Sequence, residues 1–142
     1  KAYEAFEWHG HDLSRPLTDE GLRRAQLMGE SLLQREEKID TIVASFALRS
    51  LQTAQAIHQF FPTAHLIQTE LTNPDSLGVE GYHQAFKTFG TSNILYVGHE
   101  PDLSSIVYQH TSHFIIFKKP TLVKMNESLT TIITYFSYSE VI

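Results

Sequence analysis

The sequence predicts an α/β fold, a three-layer α/β/α sandwich on a mostly parallel sheet with antiparallel strands at its C-terminal edge. Three observations predict it. Short apolar, β-branched runs alternate with segments of helical periodicity, as in βαβ units. Two such runs, Thr41-Ile42-Val43-Ala44 and Asn93-Ile94-Leu95-Tyr96-Val97, each stop at a small residue, Ser45 or Gly98. The tail then changes to β-rich runs separated by close turns, which suits antiparallel strands.

Each element follows from its residues. Before Thr41, the apolar positions Leu22, Ala25, Gly29, Leu32 and Leu33 recur at helical spacing between Thr18 and Arg35. Thr18 is placed to cap that helix, and Asp19 and Glu20 sit in the first turn, where the helix dipole favours negative charge. A second helix carries Ala47, Leu51, Ala54 and Ile57 on one face and ends near Pro62. His65-Leu66-Ile67 is a strand, and a third helix runs from Val79 to Phe89 and stops at Gly90. Pro101 can open a fourth helix containing Leu103, Ile106 and Val107. The expected tail strands are Phe114 to Phe117, Leu122 to Met125 and Leu129 to Phe136.

Composition sets the class. A chain of 142 residues that is 42% hydrophobic can bury a core as one domain, taken as 1–142. With no cysteine, thiolate chemistry, disulfides and cysteine-based metal sites are excluded, a composition that suits the cytoplasm. No apolar run approaches the roughly 18 residues of a membrane span, and the N-terminus lacks the basic segment followed by an apolar one that marks a signal peptide, so no membrane partner is expected. The opening residue, Lys1 rather than Met, suggests a trimmed start. A net charge of −5 without a basic cluster argues against nucleic acid as a partner. An anionic substrate would then need a local positive pocket.

Such a pocket has a natural location. In parallel sheets, ligands lie beyond the carboxyl ends of the strands, where loops meet helix N-termini. His9 follows the expected first strand, Ser45 through Arg49 follow the second, and His99 follows the fourth. An unprotonated imidazole can attack phosphorus and be released by water, dividing one displacement into two. An Arg fork matches the equatorial oxygens of the transferred group better than a Lys point charge.

The segment Ser45-Phe46-Ala47-Leu48-Arg49-Ser50-Leu51-Gln52-Thr53-Ala54 resembles the second-arginine motif of the histidine phosphatase superfamily, whose fold is phosphoglycerate mutase-like. Val97-Gly98-His99-Glu100-Pro101 resembles its second-histidine motif, and Arg15-Pro16-Leu17-Thr18-Asp19-Glu20-Gly21 the segment opening its first helix. The short connection between Thr53 and His99 leaves no room for a capping insertion, making the chain most similar to the SixA-type phosphohistidine phosphatases. The resemblance implies a phosphatase with His9 as nucleophile, His99 as its catalytic partner, and Arg49, Gly10 and Arg15 binding substrate. It implies a phosphorylated partner, either a phosphohistidine protein or a small phosphorylated molecule, and no cofactor. Arg15 can alternatively pair with nearby carboxylates.

One position departs from the family pattern. The family has Arg immediately before the nucleophilic His, and this chain has Trp8. Loss of one aligned donor costs about 3 to 4 kcal/mol of transition-state stabilisation, or roughly 10² to 10³ in rate. The alternative reading is therefore a pseudophosphatase that binds a phosphorylated partner without turnover. A third reading takes His9, His11 and Asp12 as the start of a metal site. Asp75 and Glu70 are the candidates for a general acid.

Overall fold

The computed structural model describes residue 2, residues 11–117 and residues 120–137. The first-strand region, with Trp8, His9 and Gly10, lies outside the described residues, as does the end of the chain. Among the described residues, four helices and five strands follow a short 3-10 turn at Asp12–Ser14: α1 (Asp19–Gln34), β1 (Thr41–Ala44), α2 (Leu48–His58), β2 (His65–Gln68), α3 (Gly78–Phe89), β3 (Ile94–Val97), α4 (Asp102–Thr111), β4 (Thr121–Met125) and β5 (Ile132–Ser137). A second 3-10 turn, Glu70–Thr72, precedes α3.

Strands β1, β2 and β3 form a parallel sheet in the order β2-β1-β3, with Thr41 in register with His65 on one side and Ile94 on the other. The chain therefore steps outward from β1 to β2 and then back across β1 to β3. Because such crossovers are right-handed, this reversal of direction puts α2 and α3 on opposite faces of the sheet. It also makes the loops after β1 and β3 diverge, opening a crevice between them at their carboxyl ends.

The core lies mainly on the α1–α2 face. Ile42 and Ala44 of β1 point there, packed with Met28 and Leu32 of α1, Ala54 and Ile57 of α2, and Phe136 of β5. Gly29 lets the two helices approach, since a Cβ there would meet the Phe60 ring at 2.6 Å. Thr18 caps α1 as its sequence predicts, its Oγ1 accepting the Gly21 N–H at 3.1 Å. The buried stripe of α1 is shifted, however: Met28 and Gly21 are buried, while Leu22 and Leu33 stay 41% and 49% exposed. On the other face, Tyr96 packs edge-on against Phe86 at 5.0 Å, and its hydroxyl donates to Gly90 O at 2.6 Å. Burial pushes that hydroxyl up to about 12.

The tail departs from expectation in one part. β4 and β5 pair antiparallel, Leu122 opposite Phe136, and Phe136 reaches the core beneath the Arg35 guanidinium, 3.7 Å from its ring. Phe114 to Phe117, expected as a strand, is irregular, with Phe114 70% exposed and Ile116 also outward. Among the described residues this run has no neighbouring strand, so nothing there converts its β propensity into a ladder. None of the helices among the described residues is long and apolar enough to cross a membrane.

Candidate functional site

β1 ends at the buried Ser45 and β3 at Gly98, so the two diverging loops carry Ser45 and His99 to the same crevice. Their side chains meet there, Ser45 Oγ lying 2.9 Å from His99 Nε2. Ser45 is fixed from several sides. Its Oγ accepts the Ala47 N–H at 3.2 Å, its own N–H donates to Ser50 Oγ at 3.0 Å, and its carbonyl accepts from Gln68 Nε2 at 3.4 Å. Ser50 Oγ also donates to Val97 O at 3.4 Å, tying the end of β1 to the end of β3.

His99 is held through its backbone as well. The hydroxyl of Tyr82, a residue of α3 that is 1% exposed, accepts the His99 N–H at 3.0 Å. Burial raises the Tyr82 phenol far above its ordinary range, despite the opposing effect of that hydrogen bond, so it is a neutral acceptor. Gly98 is required beside it, because a Cβ at 98 would collide with the Tyr82 hydroxyl and approach Leu103 to 2.6 Å.

Arg49, in the first turn of α2, projects toward the 3-10 turn that follows the undescribed segment. Its Nη1 donates to Asp12 O at 3.0 Å, and its Nη2 lies 3.4 Å from Asp12 Oδ2. Arg15 grips the other oxygen, with Nε and Nη2 at 3.2 and 3.1 Å from Asp12 Oδ1. Both guanidiniums are largely buried while the carboxylate is half exposed. Desolvation acts to raise the Asp12 carboxyl, but Arg49 and Arg15 outweigh it and hold the group below its usual range. Arg49 is lowered by burial and by the neighbouring Arg15, against the stabilising charge of Asp12. Two cations sharing one anion form a site that can take an oxyanion with more charge than a carboxylate.

The structure thus joins His99 to the Ser45–Arg49 turn and joins Arg49 to Arg15 through Asp12. His9 and Gly10 lie outside the described residues. His11 and Asp12, entertained above as metal ligands, have other bonds: His11 Nδ1 accepts the Leu13 N–H at 3.2 Å, and Asp12 serves the two arginines. Asp75 is near enough to stabilise the charge on Arg49, whereas Glu70 is an exposed residue of the 3-10 turn before α3. Asp102, at the start of α4, has its carboxyl raised by desolvation and by its neighbours Asp75 and Glu100.

Sequence reasoning missed several supporting residues. Asn73 Oδ1 accepts the Phe46 N–H at 2.8 Å, and Gln52 Oε1 accepts the Leu17 N–H at 2.8 Å, together anchoring both ends of the arginine turn. Gln52 belongs to the quoted motif, so a signal existed for it. Tyr82 had none, being indistinguishable from any aromatic on a buried helix face.

Comparison with known proteins agrees with this arrangement. A structure of the protein histidine phosphatase SixA complexed with tungstate superposes with a TM-score of 0.76 at 25% identity, covering 99% of this chain and 94% of that one. The putative phosphohistidine phosphatase SixA from Agrobacterium tumefaciens gives a TM-score of 0.68 at 22% identity over 78% of this chain and 70% of that one. A phosphoglycerate mutase from Plasmodium falciparum shares the fold more distantly, with a TM-score of 0.54 at 18% identity over 66% of this chain and 69% of that one. An uncharacterized protein of a Picosynechococcus strain is 29% identical over 81% of this chain and 73% of its own length. The family model for branch 1 of the histidine phosphatase superfamily matches residues 7–88, well over half of the chain. With its SixA-like fold and the Ser45–Arg49 and His99 loops meeting at one crevice, the chain belongs to the histidine phosphatase superfamily.

Proposed function

We propose that the chain is a phosphatase that removes a phosphoryl group from phosphohistidine in a protein, or from a small phosphomonoester, through a covalent intermediate on His9. The observation that carries this reading is the meeting of Ser45 and His99 beside the arginine turn, at the crevice where α/β sheets bind ligands. In the proposed cycle the His9 imidazole attacks phosphorus as the bond to the leaving group breaks, and water then takes the phosphoryl group from the imidazole. Arg49 and Arg15 neutralise the equatorial oxygens, Gly10 gives the phosphoryl group room, and His99 adds a donor. Residues 1–142 act as one domain in the cytoplasm.

Support for a phosphohistidine substrate comes from the short connection between Thr53 and His99, which leaves no room for a capping insertion. Asp75 is exposed, and an imidazole leaving group needs less protonation than an alkoxide. The test is incubation with a labelled phosphohistidine protein and with a phosphomonoester. The expected result is an acid-labile phosphoenzyme that disappears in His9→Ala. Trp8 in place of the family's arginine favours a second reading, a module that binds the phosphorylated partner and does not turn it over. Tight binding without phosphate release would select that reading, and a large gain in rate for Trp8→Arg would select the first.

A further inference from the structure

Away from the crevice, α3 and α4 bring together two histidines that stand far apart in the sequence. His83 Nε2 and His110 Nε2 are 3.0 Å apart, with the rings edge-on at 86° and their centroids 5.1 Å apart. Glu80, one turn before His83, places Oε2 3.9 Å from His83 Nδ1. We propose that His83 and His110 form a divalent transition-metal site, selective for zinc-like ions, that clips α3 to α4.

The geometry is close to what such an ion needs. Two imidazole nitrogens at about 2.0 to 2.1 Å from a tetrahedral zinc lie about 3.4 Å apart, and at cis positions of an octahedral ion about 2.9 Å apart. The observed separation falls between these values, so a swing of the two half-buried rings can turn both nitrogens toward one ion at little change in their separation. Each ring has to present a lone pair at Nε2. For His83 the carboxylate of Glu80 stands on the Nδ1 side, 3.9 Å away, where a small side-chain rotation would let it accept the Nδ1 hydrogen, as carboxylates do on metal-bound histidines. One ring donates and the other accepts in the metal-free pair, and on binding the donor's hydrogen moves from Nε2 to Nδ1 with no net proton released. Among the described residues no third His, Cys, Asp or Glu joins a metal-ligating group, so water completes the coordination. An open position of this kind gives exchangeable rather than permanent binding.

The clip joins the two helices that frame His99. Tyr82, adjacent to His83 on α3, accepts the His99 N–H, and α4 begins just beyond His99. The test is isothermal titration of the full chain with zinc chloride, paired with thermal melting. The expected result is one ion per chain, bound at least tenfold more weakly by His83→Ala and by His110→Ala, and several-fold more weakly by Glu80→Gln. His65→Ala, an exposed histidine on β2, should bind like the unaltered chain. Zinc should raise the melting temperature of the unaltered chain and of His65→Ala but not of the two histidine variants. No uptake, or uptake that survives both substitutions, overturns the proposal.

Discussion

Tyr82 and His99 are joined by a hydrogen bond in which a buried phenol on α3 accepts the backbone N–H of the residue whose imidazole faces Ser45. The side chain of one layer thus positions the main chain of another, and the imidazole inherits its place from a helix on the far side of the sheet.

Tyr82→Phe should therefore destabilise the protein beyond the loss of one bond. It leaves the His99 N–H without its acceptor, which costs about 1 to 3 kcal/mol. Urea unfolding checks the stability loss, and a fall in phosphatase rate larger than any change in KM checks the effect on His99.

Gly98→Ala acts on the same point from the other side. Its methyl group would collide with the Tyr82 hydroxyl, for an expected cost of about 1 to 3 kcal/mol. Combining it with Tyr82→Phe should cost less than the sum of the two, because removing the hydroxyl makes the space. A double-mutant cycle with a coupling near zero would show that Gly98 and Tyr82 are independent.

Ser45→Ala removes the side chain that faces His99 Nε2 and caps the Ala47 N–H. Stability should fall by about 0.5 to 1.5 kcal/mol, and the imidazole should gain freedom to rotate. Broadened or displaced His99 ring resonances in the NMR spectrum, together with a reduced rate, are the expected outcome. Unchanged resonances would contradict it.

Asp12 occupies the donors of Arg49 and Arg15, so an incoming oxyanion competes with it. Asp12→Asn should tighten binding of inorganic phosphate several-fold at pH 7 while changing stability by less than about 1 kcal/mol, since the carboxylate is half exposed. Titration calorimetry measures both species. The pH dependence has a definite sign. Because the folded carboxyl lies below the ordinary aspartate value of 3.8, its pairing is fully present above that value and is lost only as the pH falls through the lowered folded one. Once phosphate is a monoanion, the difference in its affinity between the unaltered chain and Asp12→Asn should stay constant as the pH falls toward that range and then shrink.

How far the sequence foretold this molecule depends on which physical signal each part carries. The helix from Asp19, the strands at Thr41 and Ile94 and the helix ending at Gly90 were legible because periodicity, caps and a terminal glycine all pointed the same way. Phe114 to Phe117 misled because β propensity states what a segment could pair as and says nothing of whether a partner is present. In the site, Arg49 and His99 stood in short motifs. Tyr82 and the pairing of His83 with His110 did not, because they arise only when α3 is laid against other elements. Asp12 was visible as a carboxylate, but its role depended on two arginines from different elements converging on it.

The hydroxyl of Ser45 has one hydrogen and two lone pairs, and the Ala47 N–H uses one of those lone pairs. When His99 Nε2 is bare, the hydroxyl hydrogen turns toward it; when Nε2 carries a proton, the remaining lone pair receives it. The contact therefore survives in either state through the spin of a single O–H bond. Either tautomer of the imidazole can therefore face Ser45 while the serine keeps its bond to the Ala47 N–H, and one hydroxyl serves the crevice and the turn together.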